Sequence, residues 1–241
     1  MNVAIMQPYF FPYAGYFQLL MAADVFVLLD DIQYIQRGWI NRNRILLNGE
    51  PFGIVRSVVA ASHRLAINER FYTDDARGDA KLLRLIDNAY RRAPHFERVF
   101  ALVSEILASQ QRNVAAFNAE LVRRVAAELE LPASIRCSSE LSIDRALRGV
   151  DRVIAICRML GADRYINPSG GTTLYRDENF EANGLELRFL RPLLPEYPQF
   201  GAPHVGSLSI IDVMMFNSGA ALSGLLNSYE LLNGADMRRI L

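Results

Sequence analysis

The chain has 241 residues, 51% apolar and 22% charged, which suits one domain with an ordinary core and excludes a disordered or disulfide-stapled protein. Its 26 basic and 26 acidic residues cancel, so neither nucleic acid nor an anionic membrane is an expected partner. Cys137 and Cys157 fit no metal spacing and no disulfide framework.

NVAIM, residues 2–6, is a short apolar run that stops at Gln7 and Pro8 and reads as a buried strand. Phe17, Leu19, Leu20 and Ala23 then recur at helical spacing, and VFVLL follows as a second buried strand ending in Asp30 and Asp31. Strand, helix and strand in this order form a βαβ unit, and two all-apolar strands imply a parallel sheet covered on both faces. Asn48-Gly49 between apolar runs predicts a hairpin. Residues from about 75 to 132 turn helical in three stripes, one containing Leu82 and Ile86, the next Val99 and Val103, the last Phe117, Leu121 and Val125. They read as a helical insertion, with Ala93-Pro94 dividing the first two stripes and the whole forming a lid over the strand ends.

The first rhythm returns with a strand over 134–141, a helix over 145–160 stopped by Gly161, and a strand at ADRYIN. The loop PSGGTTLY, a strand over 185–192 and a helix over 207–215 complete the pattern. The expectation is a single α/β domain, 1–241, with a doubly wound, mostly parallel five-stranded sheet. No basic leader and no run long enough to span a membrane are visible, so the expected compartment is cytoplasmic.

In doubly wound sheets ligands bind beyond the carboxyl ends of the strands. Four polar clusters fall there: QPYFFPYAGY, DDIQY with the basic stretch after it, SSEL and NPSGGTTLY. In the first, Phe10, Phe11 and Phe17 suit a plug at the sheet end, whereas Gln7, Tyr13 and Tyr16 suit either packing or a pocket. Gly15 lets the following helix start close to a ligand or a strand. Asp30 and Asp31 can hold a sugar hydroxyl, bind a metal or act as a base, or simply satisfy a turn. They point to opposite sides of an extended chain, so they are not expected to act as a pair. Asn41, Arg42 and Arg44 can grip phosphate or carboxylate, or form a solvated basic hairpin. Gly170, Gly171 and Thr172 can cradle phosphate or form a plain turn, with no lysine following to make a P-loop. His63, His95 and His204 share no motif, no serine elbow is present, and no metal site or cofactor can be named from the pattern.

Taken together, MQPYFFPYAGYFQLL with ADVFVLLDDIQY, RGWINRNRI, YRRAPHF, RYINPSGGTTLY and LSIIDVMMFN resemble the WbqC-like family, in order and over nearly the whole chain. That resemblance implies a place in bacterial O-antigen-type surface-polysaccharide synthesis, near nucleotide-sugar or sugar-decoration chemistry. A second resemblance is to nucleotidyl-transferring enzymes with a His-x-Gly-His signature after the first strand. Tyr13-Ala14-Gly15-Tyr16 occupies that place with both histidines replaced, and Gln33 and Tyr34 match a substrate-facing Gln-aromatic pair of pantothenate synthetase-like members. No KMSKS-like motif is present, and Lys81 is the only lysine. The resulting expectation is an acyl, aminoacyl or nucleotidyl transferase using a nucleotide-sugar or other activated small molecule. Tyr16 and Asp30 would be catalytic, and Gln7, Tyr13, Gly15, Gln33, Tyr34, Asn41, Arg42, Arg44, Gly170, Gly171 and Thr172 would bind substrate. A homo-oligomer is compatible with the pattern. The alternative is a binding or scaffold protein that kept the fold and lost the chemistry.

Overall fold

The computed structural model of the chain describes residues 1–201 and 203–240. The opening βαβ unit consists of β1 (Asn2–Met6), α1 (Ala14–Ala22) and β2 (Val25–Leu28). A hairpin of β3 (Arg42–Leu47) and β4 (Glu50–Val55) stands apart from the main sheet. Its turn places Asn48 and Gly49 at φ 52° and 82°, the left-handed conformations that a two-residue hairpin turn requires. Three helices follow, α2 (Ala76–Tyr90), α3 (Phe96–Leu107) and α4 (Val114–Glu128). The second half runs through β5 (Ser134–Cys137), α5 (Gly149–Leu160), β6 (Arg164–Pro168), α6 (Asp177–Glu181) and β7 (Glu186–Pro192). It ends with α7 (Ile210–Phe216), α8 (Gly219–Asn227), β8 (Tyr229–Leu232) and α9 (Gly234–Ile240).

The main sheet has the order β5-β2-β1-β6-β7-β8. Its first five strands are parallel, and β8 adds antiparallel to β7. The five expected strands are all present; the sixth, Tyr229–Leu232, is an addition. The chain winds outward from β1 through β2 to β5, then crosses by α5 to β6 on the other side of β1. Strand order therefore reverses between β1 and β6, which opens a crevice above their carboxyl ends.

Side chains alternate across this sheet as the pleat demands. Ala4, Phe26, Leu28, Ile166 and Leu190 face a core shared with α1, α4, α7 and α8. Val3, Ile5, Val27, Tyr165, Leu187 and Phe189 face the other side, against α5, α6 and α9. Both faces are covered, which is why the strands read as unbroken apolar runs. Gly161, at φ 69°, ends α5.

The helical stretch is not a lid. α4 is the crossover helix between β2 and β5, and Leu121, Val122 and Val125 are buried in the first core. α2 packs on β3, and the Tyr90 hydroxyl at its end accepts the Leu46 N–H at 2.8 Å. The apolar stripes that suggested a cover are satisfied instead by the hairpin for α2, by the core under the sheet for α4, and by α2, α4 and α7 for α3.

The aromatic stretch after β1 is a buried turn whose carbonyls point inward. Tyr16 donates to the Gln7 carbonyl at 2.9 Å, and the Asn118 amide to that of Pro8 at 2.9 Å. Asn43 donates to the carbonyls of Phe10 and Phe11 at 3.1 and 2.7 Å. Ser209 adds a second bond to Phe11 at 2.8 Å, and the Ile210 N–H reaches Pro12 at 2.7 Å. Phe11 takes φ 41°, a conformation that costs a bulky residue on the order of 1–3 kcal/mol and persists only when its surroundings hold it. Phe10, Phe11 and Phe17 are fully buried, as a plug requires.

Asp212 lies in the first turn of α7 and is fully buried. It does more than complement the helix dipole. Tyr90 donates to it at 2.8 Å, Tyr197 at 2.6 Å and Gln199 at 2.8 Å. Burial raises its pKa above the usual carboxylate value, while these donors and the nearby His204 pull it back. Ser209 and Asp212 thus tie distant segments together within the core.

Two outcomes follow from these bonds. Asn118→Leu keeps the branched outline, in a larger side chain, but strands the Pro8 carbonyl and takes a partner from the Ile40 carbonyl and the Tyr72 hydroxyl. It should cost about 1–3 kcal/mol per unpaired acceptor in urea denaturation, and a loss within error of zero would mean the loop does not depend on the amide. A carboxyl whose folded pKa is raised contributes stability that is present at low pH and lost as pH rises through the folded value. The stability of the wild type relative to Asp212→Asn should therefore fall as pH climbs from about 4, whereas a pH-independent difference would contradict the direction of the shift.

Candidate functional site

A cleft opens at the strand-order reversal. Its inner chamber, about 480 Å³, lies over the ends of β1 and β6 and is walled by Ile5, Tyr9, Leu29, Tyr165, Leu174 and Tyr175. Its outer chamber, about 970 Å³, is rimmed by residues Asp31 to Gln36 on one side and His63, Arg64, Ala66 and Glu69 on the other. Gln7, Ile32, Ile35, Arg148, Gly149 and Arg152 line both chambers. A side recess extends from Asp31 to Asn68 and Arg145.

The carboxylates after β2 divide their work. Asp30 is buried and receives the Ser139 N–H at 2.9 Å and the Ser139 hydroxyl at 2.6 Å. Asp31 lines the cleft and takes Nη2 of Arg152 on both its oxygens, at 2.7 and 2.6 Å. The Ser138 hydroxyl sits between them, 3.0 Å from Asp30 and 2.5 Å from Asp31. The adjacent acids thus share one hydroxyl, although their side chains diverge. Removing one partner of a buried ion pair such as Asp31–Arg152 leaves an uncompensated charge, so both are constrained to stay.

The Gly-rich turn serves the inner chamber through packing. Asn167 accepts from the Tyr165 hydroxyl at 2.9 Å and donates to the Pro168 carbonyl at 3.1 Å. A Cβ on Gly171 would lie 1.8 Å from the Asn167 Nδ2, so that amide occupies the space a side chain would need. Burial pushes the Tyr9 hydroxyl up to about 12, with Tyr13 adding to the effect, and raises Tyr165 and Tyr175 as well. At neutral pH these phenols are hydrogen-bond donors, not bases. Cys137 is likewise no ready nucleophile, since burial, then Asp30 and Glu140, push its thiol up to about 11.

Of the residues singled out from sequence, Gln7, Gln33, Tyr34, Gly170 and Gly171 line the cleft. Gln33 donates to the His63 carbonyl at 3.1 Å and so ties the two rims together. The others lie elsewhere. Tyr16 is fully buried, its hydroxyl spent on Gln7, and burial raises its pKa well above the ordinary value. Tyr13 and Gly15 pack together at the start of α1 and against Pro192. Asn41 accepts from Tyr34 at 2.8 Å and donates to the Arg56 carbonyl, joining the rim to the hairpin. Arg42 donates to the Gly38 carbonyl, and Arg44 lies over the Trp39 ring, 5.4 Å from its centroid. Thr172 is buried behind the turn. The basic stretch therefore braces the hairpin rather than gripping a ligand in this cleft. Asp30 is set beneath the cleft and reaches it only through Ser138.

The sequence reading missed the arginines at the start of α5. Arg145, Arg148 and Arg152 recur at intervals of three and four, which on the expected helix over 145–160 would put them on one side, although only Arg152 lies within α5. Their spacing was the available signal. It was obscured because the helix begins at Gly149, four residues later than its apolar pattern suggests. Among the described residues no group of three His, Cys, Asp or Glu is placed to hold a metal.

A family model described as "WbqC-like protein family" matches residues 7–223. The chain belongs to the WbqC-like protein family. The matched span takes in the lining of both chambers except Ile5 and Met6, and the segments that hold the loop after β1. A curated relative named "Uncharacterized protein Rv1507c", from Mycobacterium tuberculosis (strain ATCC 25618 / H37Rv), is 27% identical over 224 residues, covering 91% of this chain and 94% of its own. No solved structure matches. Among the described residues no helix is long and apolar enough to cross a membrane.

Gly171→Ala tests the inner chamber. The added methyl must displace the Asn167 Nδ2 and so break its bond to the Pro168 carbonyl and disturb the Tyr165 hydroxyl on the same amide, at about 1–3 kcal/mol for a stranded group. Urea unfolding reads the loss, and an unchanged midpoint would show that the turn can yield.

Proposed function

We propose that this protein is a cytoplasmic transferase of bacterial surface-polysaccharide sugar metabolism, moving an acyl, aminoacyl or nucleotidyl group to or from a nucleotide-sugar or similar activated small molecule. The observation that carries the reading is the cleft itself. It sits at the strand-order reversal and joins an apolar, tyrosine-walled inner chamber to an outer chamber with Arg64, Arg148 and Arg152. A flat apolar-faced group suits the first chamber and an anionic group the second. The biosynthetic setting is the one the family resemblance implies, and it is part of the proposal. Asp31 and Glu69 are the acids that can meet substrate, because both line the cleft. Asp30 orients Asp31 through Ser138, and Tyr16 fixes the Gln7 backbone rather than reacting.

One observation favours a second reading, a binding protein without chemistry. Tyr13 and Tyr16 stand where the histidine-signature enzymes place their phosphate-stabilising pair, and both are packed into the start of α1. A thermal-shift screen against nucleotide-sugars, nucleotides, amino acids and acyl-CoA tests both. A ligand at a hundred times its dissociation constant should add about 2.7 kcal/mol. Binding with release of product in the presence of a sugar or amine acceptor supports the transferase, binding with no turnover supports the second reading, and silence across the panel overturns both.

A further inference from the structure

The cleft carries more positive charge than its own acids compensate. Arg64, Arg145, Arg148 and Arg152 line it against the carboxylates of Asp31 and Glu69. Asp31 is committed to Arg152, and Glu69 accepts the Ala66 N–H at 2.7 Å. Arg152 is 4% exposed, lines every part of the cleft, and has a buried Nε with no hydrogen-bond partner among the described residues.

The twelve-residue α5 starts at the same place. Gly149, at φ 52°, lines both chambers, and Arg148 before it makes no side-chain cap. Instead Arg148 donates to the Leu147 carbonyl at 2.8 Å, which holds its guanidinium over the turn. Uncapped N–H groups at the positive end of a helix dipole favour an anion. The start of α1, which follows the first strand, is closed by comparison. Ala14 and Gly15 are buried, and Tyr13 Cε2 lies 2.5 Å from where a Cβ on Gly15 would sit.

We infer that the ligand carries a diphosphate, and that its phosphates sit on the first turn of α5 between Arg145, Arg148 and Arg64, with the attached nucleoside in the inner chamber. The two positive charges left over among the lining residues match the charge of a diphosphate diester; a free nucleoside diphosphate carries further negative charge on its terminal phosphate. This deepens the proposed function and rests on the same cleft. It moves the anion from the helix after the first strand to the helix that crosses between the two halves of the sheet.

Isothermal titration of the full chain separates the sources of the anion. The probes are UDP, GDP, ADP and dTDP, the matching nucleosides, and inorganic pyrophosphate. Expected are binding of at least one nucleoside diphosphate and weaker binding of pyrophosphate. Arg148→Gln and Arg64→Gln, both at exposed positions, should each weaken the diphosphate by roughly 10- to 100-fold. The nucleoside affinity should stay unchanged in Arg64→Gln, because Arg64 lines only the outer chamber. Raised salt should weaken the diphosphate selectively. A diphosphate that binds the double variant as tightly as the wild type overturns the α5 subsite and leaves the cleft reading standing. Binding of nucleosides alone does the same. No binding by any probe overturns the subsite, and the broader screen then decides the cleft.

Discussion

The structure depends on holding one turn of backbone at the end of the first strand. Between Gln7 and Pro12 the chain bends under the sheet and presents its carbonyls to the interior, where water cannot satisfy them. Each unpaired carbonyl would cost about 1–3 kcal/mol. The partners come from every part of the fold: Tyr16 in α1, Asn43 in the hairpin, Asn118 in α4, and Ser209 with the Ile210 N–H at α7. The loop is therefore an inventory of the tertiary structure. Its strained form at Phe11 is held by bonds from Asn43 of the hairpin and Ser209 at the start of α7.

That constraint explains what the shared motifs do. RGWINRNRI supplies Asn43 to the loop and Asn41 to the rim. YRRAPHF supplies Tyr90, and LSIIDVMMFN supplies Ser209 and the Asp212 that Tyr90 contacts. RYINPSGGTTLY supplies Tyr165, Asn167 and the glycine that makes room for them. Most of these residues are polar, and most are buried. A buried polar group with a fixed partner tolerates substitution poorly, so such residues mark a fold as sharply as catalytic ones do. Motif residues here are mainly scaffold; of the cleft residues, Asp31 sits inside ADVFVLLDDIQY, whereas the arginines at the start of α5 lie outside the shared motifs.

The same distinction sets what could be read from the sequence. Unbroken apolar runs such as NVAIM and VFVLL announced a doubly covered parallel sheet, and Asn48-Gly49 announced the hairpin, because period and turn chemistry are local signals. β8 escaped because YELL is short, mixed in character and placed at an edge, where only pairing with β7 makes it a strand. Tyr16 and Asp30 looked like pocket residues because their types are reactive. Their burial depends on partners about 10 to 110 positions away, which no local pattern reveals. Gln7, Gln33 and the glycine pair were legible because strand ends at a topological switch face the crevice whatever the rest of the chain does.

A last step connects the scaffold to the site. Because the Gln7 carbonyl is pinned by Tyr16 at 2.9 Å, the Gln7 residue is held at the junction of the two chambers. Tyr9, two residues on, lies on the inner wall, with its ring 5.7 Å from that of Tyr16. Phe10 and Phe11 turn the chain away and fill the space between the sheet end and α4, where Phe10 lies 6.5 Å from the Phe117 ring. Tyr13 then folds onto Gly15 and closes the start of α1. The crowd of aromatics thus builds one wall of the cleft, plugs the core below it, and shuts one helix start. What stays open to an anion is the helix start on the far side of the crevice, where Gly149 and the arginines stand.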